Sequence, residues 1–192
     1  MEALYQALLS DARFQEQLLT FDRDMAAIAG MEGCPRCGGR LHSARFRRKP
    51  RGLPGKLGDE FRQRFSFCCA VDGCRKRKTP SSLRFLGPKV YLATVVTLVT
   101  AMQQGVTAAR VQRLSAELGI DRRTLGRWRQ WWLETFAGPF RPVAMAAFMP
   151  PLDLAGVPAT LLDRFVGEVR EKLVSLLRFL GPLTGGAAVR AF

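Results

Sequence analysis

The chain has 192 residues, 47% of them hydrophobic, so it can bury a core and is not disordered throughout. It carries 30 basic and 16 acidic side chains and one histidine, for a formal charge of +14. Its longest apolar run, Val90–Met102, is shorter than the ~20 residues a helix needs to cross a bilayer core of ~30 Å.

The charge is localised. Residues 34–91 carry sixteen basic and three acidic side chains, a net of +13, whereas residues 1–33 are net −4. Such a field on a short stretch is the footprint of a polyanion: DNA or RNA before an acidic membrane surface. No secretory pattern opens the chain. The stretch 143–162 is broken by Pro150, Pro151, Asp153 and Pro158. A cytoplasmic, nucleoid-associated protein with reduced cysteines is expected, without a membrane partner.

Residues 1–30 read as an N-terminal helical segment. Phe14, Leu18, Phe21, Met25 and Ile28 recur at helical spacing, Ser10 is placed to cap, and Gly30 to terminate. The expectation is a helix folded back on the rest of the chain rather than displayed to a partner.

Residues 31–90 hold all five cysteines. Cys34-Pro35-Arg36-Cys37-Gly38-Gly39 is a C-x-x-C knuckle, and Cys68, Cys69 and Cys74 form the second cluster. Four thiolates in a closed tetrahedron suit one structural Zn2+. The second pair is either Cys69-x4-Cys74 or Cys68-x5-Cys74. Period-two alternation puts Phe65, Phe67 and Cys69 on one strand face, which favours Cys69. The expected ligands are therefore Cys34, Cys37, Cys69 and Cys74, with Cys68 or His42 as substitutes. An odd cysteine count without a signal peptide argues against disulfides. Strands are expected over Leu41–Phe46 and Glu60–Cys69. Between them lies a Pro- and Gly-containing loop with Arg47, Arg48, Lys49 and Arg51, whose Pro50-Arg51-Gly52 faintly resembles the AT-hook minor-groove motif. Arg75, Lys76, Arg77 and Lys78 follow the last cysteine and are expected on phosphates, before a turn at Thr79–Ser82.

Residues 91–137 begin in an apolar helix predicted over 89–104, with Leu92, Val95, Val96, Val99 and Met102 inward. The stretch Val111–Trp128 resembles the helix-turn-helix of Hin-type recombinases and many transposases. Leu114, Leu118, Ile120, Leu125 and Trp128 fall at that motif's interior positions, Ser115 at its helix crossing and Gly119 in its turn. Asp121 is placed to cap the second helix. Arg122, Arg123 and Arg127 then lie on the part of the helix that meets base edges in the major groove. Trp131 and Trp132 extend this helix, with a core role expected.

Residues 138–192 read as a linker and a C-terminal helix over Leu161–Leu180, striped by Phe165, Val169, Leu173, Leu176 and Leu177. The six residues Leu83–Pro88 recur letter for letter at Leu177–Pro182.

A zinc ribbon followed directly by a helix-turn-helix resembles the DNA-binding region of insertion-sequence transposases and transposon accessory proteins. The resemblance covers about residues 31–135, through the four cysteines, the Arg75–Lys78 run and Val111–Trp128. It implies an α+β, mostly α fold: a small zinc ribbon, a helix-turn-helix three-helix unit, and flanking N- and C-terminal helices. It also implies double-stranded DNA as ligand and a transposase or other element-encoded protein as partner. Such transposases continue into a catalytic domain with three metal-binding carboxylates. Residues 138–192 hold only Asp153, Asp163, Glu168 and Glu171, so the chain is expected to bind without cleaving. A homodimer through the C-terminal helix is compatible with this pattern. The competing expectation is an adaptor whose ribbon grips RNA or a protein without sequence-specific DNA readout.

Overall fold

In a computed structural model of the chain, the described residues are 7–8, 10–47, 58–86, 108–109, 112, 116, 119–136 and 152–181. Their backbone mixes helices with short strands, an α+β arrangement.

Helix α1 (Ala12–Met31) is the element on which the other parts are mounted. Its N-cap is Asp11 rather than Ser10: the Asp11 carboxylate accepts the Arg13 N–H at 2.9 Å. Gly30 lies inside the helix rather than ending it. Two faces of α1 are covered. Phe14 and Leu18 enter a large apolar core, while Leu19 and Ala26 meet Phe61 and Phe65 in a smaller one. The predicted stripe holds at Phe14 and Leu18, is half-buried at Phe21 and Met25, and fails at Ile28, which is 53% exposed. The second core explains the shift, because it draws the buried face round to Leu19, Asp22, Ala26 and Ala29.

The cysteine-bearing region is a twisted hairpin. Strand β1 (Leu41–Ser43) and β2 (Phe46–Arg47) return through a 3-10 turn (Asp59–Arg62) into β3 (Gln63–Arg64) and β4 (Phe67–Cys69), and β5 (Arg77–Lys78) completes the sheet. The strand order is β1-β4-β5, with β2 paired to β3, all antiparallel. Leu41 faces Cys69, Ser43 faces Phe67 and Phe46 faces Arg64, so one register runs through both ladders. The predicted strands are thus present but broken between Ser43 and Phe46 and between Arg64 and Phe67.

Helix α2 (Arg122–Gln130) runs on into a π-helical turn (Trp131–Phe136). Helix α3 (Ala159–Leu162) and helix α4 (Val169–Phe179) replace the single helix expected over Leu161–Leu180. The break has a local cause. Gly167 sits at φ +108°, a conformation side chains oppose, and Glu168 restarts the helix with its N–H on the Glu171 carboxylate at 3.0 Å.

All four stretches of the chain contribute to the large core: Phe14 and Leu18; Leu83, Phe85 and Leu86; Ile120 to Phe136; and Leu152 to Leu180. Trp132 and Phe136 are fully buried, with ring centroids 5.3 Å apart edge to face, and Phe136 meets Phe179 of α4 at 6.5 Å. The outer Trp131 is half-buried. Leu173, Leu176 and Leu177 of α4 are at most 1% exposed, so its stripe is occupied within the chain. The predicted helix over 89–104 and the motif positions Leu114, Ser115 and Leu118 lie outside the described residues. Among those described, no helix is long and apolar enough to cross a membrane.

Candidate metal centre and basic surfaces

Two loops bring four sulfurs together. The Cys34 N–H bonds the Gly39 carbonyl at 2.9 Å and the Gly38 N–H bonds the Cys34 carbonyl at 2.8 Å, closing the first knuckle. In the second, the Cys69 N–H reaches the Lys76 carbonyl at 2.9 Å. The x4 spacing makes this second loop two residues longer between its cysteines, without changing its work. In each knuckle an N–H two residues on points at the first sulfur: Arg36 at Cys34 (3.5 Å) and Val71 at Cys69 (3.4 Å). Gly39 leaves room for Val71 and the sulfurs, and any larger residue would push Val71 aside. A Cβ there would stand 2.4 Å from Val71 Cγ2 and 3.3 Å from the Cys37 sulfur.

The Sγ atoms of Cys34, Cys37, Cys69 and Cys74 lie within 4.8 Å of one another. Cys34 and Cys74 are 3.7 Å apart, Cys37 and Cys69 3.5 Å. These four are positioned to bind one metal ion. Cys68 and His42 face each other across β4 and β1, outside the cluster, with the Cys68 thiol on the Arg75 carbonyl at 3.5 Å. The strand alternation that favoured Cys69 therefore selects the right residue.

The sulfurs compete for charge. The Arg36 N–H pulls the Cys34 thiol down to about 6. At Cys37, the Gly39 N–H and Cys69 pull the thiol down, but Cys74, burial and Cys34 outweigh them and it ends raised. At Cys69 the Val71 N–H is opposed by burial and by Cys37, Cys34 and Cys74, and the thiol is pushed up to about 12. Gathering several thiolates here needs a cation.

The basic residues part into distinct roles. Arg75, Lys76 and Arg77 are exposed beside the second knuckle, Arg75 paired with Asp72 at 2.9 Å. Lys78 is turned inward. Its Nζ bonds the carbonyls of Ala29 (2.9 Å) and Gly33 (3.3 Å) and the Glu32 carboxylate (2.7 Å), tying β5 to the C-terminus of α1. Nothing in the run of four cations marks Lys78 as the one held by a helix end. Arg47 is exposed and ion-paired with Asp59. Arg48, Lys49 and Arg51 lie outside the described residues.

On α2 the expected separation of faces is present. Leu125 and Trp128 are buried, and Arg122, Arg123 and Arg127 are exposed. Arg127 also donates to Thr124 Oγ1 at 2.9 Å. Gly119 precedes the helix at φ +62° and Asp121 caps it, accepting the Thr124 N–H at 2.6 Å. That hydrogen bond, with help from Arg127, holds the Asp121 carboxyl below its ordinary value of 3.8. Because the folded value is lowered, the cap stabilises fully above the ordinary value and is lost as pH falls through the lowered one. Asp121→Asn should keep the cap but remove that acid dependence, and Asp121→Ala should lose both. Melting temperatures followed from neutral pH into acid check this, and identical pH profiles for the native chain and the Asp121→Asn variant would contradict it.

No family model, curated protein or solved structure matches the chain.

Proposed function

We propose that the chain is a sequence-specific DNA-binding protein of a mobile element, a transposase-like binding or accessory subunit that does not cut DNA by itself. The observation that carries the reading is α2: three outward arginines on its first turns, with Leu125 and Trp128 anchoring the opposite face. An arginine pairing both acceptors of a guanine supplies about 1–3 kcal/mol of discrimination. The metal is taken to be Zn2+. Zinc–sulfur bonds of about 2.3 Å in a tetrahedron set sulfurs about 3.8 Å apart; two of the six separations, 3.5 and 3.7 Å, are close to that, and all lie within 4.8 Å. With four thiolates the ion has no open position, so its part is structural. Arg75, Lys76 and Arg77, held on the rim of that cage, contact phosphates. Three of the four C-terminal carboxylates accept backbone N–H groups: Asp153 that of Ala155 at 2.9 Å, Glu171 that of Glu168, and Glu168 that of Glu171 in a capping box. Assignment to a mobile element rests on the ribbon and helix-turn-helix resemblance.

Selection of bound duplexes from a random pool, with zinc-loaded protein at near-physiological salt, tests the reading. A single enriched motif is expected. Arg123→Ala should relax that motif at one or two positions. Neutralising Arg75, Lys76 and Arg77 together should weaken all sites alike and reduce the salt slope by about 2.7, at ~0.9 per phosphate contact. Tight, salt-sensitive binding with no enriched motif would overturn sequence readout and favour an RNA or protein adaptor.

A further inference from the structure

A cleft of about 250 Å³ opens between α1 and the hairpin. It exists because α1 is small there: Ala27 and Gly30 form its wall, and a Cβ at Gly30 would already touch the Phe67 ring at 3.5 Å. The shared register places Arg45 opposite Phe65, and its guanidinium lies 5.2 Å from the Phe65 ring centre. Phe65 itself is buried, with the Arg84 guanidinium also 5.6 Å from its ring centre, so half-buried Phe67 is the ring this cleft offers. Arg23 supplies a second guanidinium from the α1 side, with one nitrogen on Glu16 at 3.1 Å and half of its side chain exposed. Two cations and one half-buried aromatic ring lining the same cleft match a ligand that is anionic at one end and flat and apolar at the other. The volume is below the ~300–1,000 Å³ of sites for drug-sized molecules, so it takes one such unit.

We propose that this cleft is a subsite for one unpaired nucleotide of a single strand, its base against Phe67 and its phosphate between Arg23 and Arg45. An acidic peptide such as oligoglutamate would use the arginines and leave the Phe67 ring without a role, whereas every base has a face to stack. Its hairpin wall belongs to the segment of net charge +13, which draws a strand to it, although the α1 wall belongs to a segment of net −4. The site is independent of duplex reading by α2, so the probe is single-stranded.

The probe is a short labelled thymidine oligonucleotide, compared by anisotropy with the same sugar-phosphate chain lacking its bases. The intact chain should bind the base-bearing strand about tenfold more tightly than the abasic one, the scale of one stacked base. Ala27→Leu fills the cleft from an exposed helix position. It should erase that preference while leaving abasic affinity, metal content and melting temperature unchanged. Arg45→Ala should weaken both strands. Equal binding of the two strands by the intact chain, a preference that survives Ala27→Leu, or displacement of the base-bearing strand by oligoglutamate at equal concentration would each overturn the proposal. Failure here would leave duplex selection intact, and failure of duplex selection would leave this site intact.

Discussion

Replacing Cys34 and Cys37 with serine is expected to take the metal content from one ion per chain to none and to unfold the hairpin. A structural Zn2+ site contributes about 10–16 kcal/mol in peptides at neutral pH, as much as the whole stability of about 5–15 kcal/mol of a small domain. Among the described residues, the hairpin is otherwise held by the hydrogen bonds of Lys78 and Arg84 to α1 and to the hairpin's own carbonyls and by a small apolar cluster, each smaller than the metal's contribution. Its strands are two or three residues long, and its own apolar cluster is Leu19, Ala26, Phe61 and Phe65, with Phe67 alongside. The large core lies elsewhere, around α2 and α4, and should survive in part. Hydrogen exchange would then show amide protection lost over 34–78 and retained around Trp132. Cys68→Ser is the control. Its thiol lies outside the sulfur cluster, so metal content should not change. One ion retained in the double variant, or lost in the control, would reverse the ligand assignment.

How much of this was legible beforehand depends on the range of the interaction. The knuckles are local, and their chemistry is carried by cysteine spacing and by strand alternation at Phe65, Phe67 and Cys69. The capped start of α2 is local too: Gly119, Asp121, Leu125 and Trp128 lie within ten residues and fall where a turn, a cap and a buried face require them. Lys78 was not legible, because what separates it from Lys76 is the end of a helix 45 to 49 residues earlier. The break before α4 was hidden by its own stripe. Leu161, Phe165 and Val169 keep helical spacing across Gly167, so periodicity alone reads straight through.

The repeated six-residue segment shows the same limit from another side. Leu83–Leu86 runs outside any helix, whereas Leu177–Phe179 ends α4. Both copies bury their leucines, and both send their arginine to adjacent residues of α1. Arg84 pairs with Asp22, and the Arg178 guanidinium lies 4.3 Å from the Phe21 ring centre. Identical letters thus dock on one helix in two backbone conformations, one arginine buried and the other exposed. Composition does not distinguish them, and the neighbouring segments do.

Asp22→Ala is expected to cost about 3–5 kcal/mol of stability, the scale for stripping the partner from a buried ion. Asp22 and Arg84 are each 1% exposed, with Nε on Oδ2 at 2.8 Å. The same carboxylate accepts the Ser82 hydroxyl at 2.6 Å and the Leu83 N–H at 2.7 Å. Arg84 extends the network, donating to the carbonyls of Phe61 (2.9 Å) and Gln63 (2.8 Å). Burial lowers the pKa of the guanidinium and Asp22 opposes that, so removing Asp22 leaves the full desolvation cost in place. Asp22→Ala/Arg84→Met should recover only part of the loss: it removes the uncompensated buried charge, but the Leu83 N–H and the Phe61 and Gln63 carbonyls lose the partners the pair supplied. Urea denaturation of the single and double variants measures both. A single-variant loss below about 1 kcal/mol, the scale of an exposed ion pair, would contradict the assignment. The position of the pair gives the prediction a functional consequence. It joins α1, the turn before β3 and the segment leading to the large core, and so couples the hairpin that carries Arg75–Arg77 to the core that carries α2. Under the DNA-binding reading, two surfaces must meet one duplex in a fixed relation. Asp22→Ala should therefore lower affinity for the selected site more than affinity for random duplex, even at temperatures where both cores remain folded.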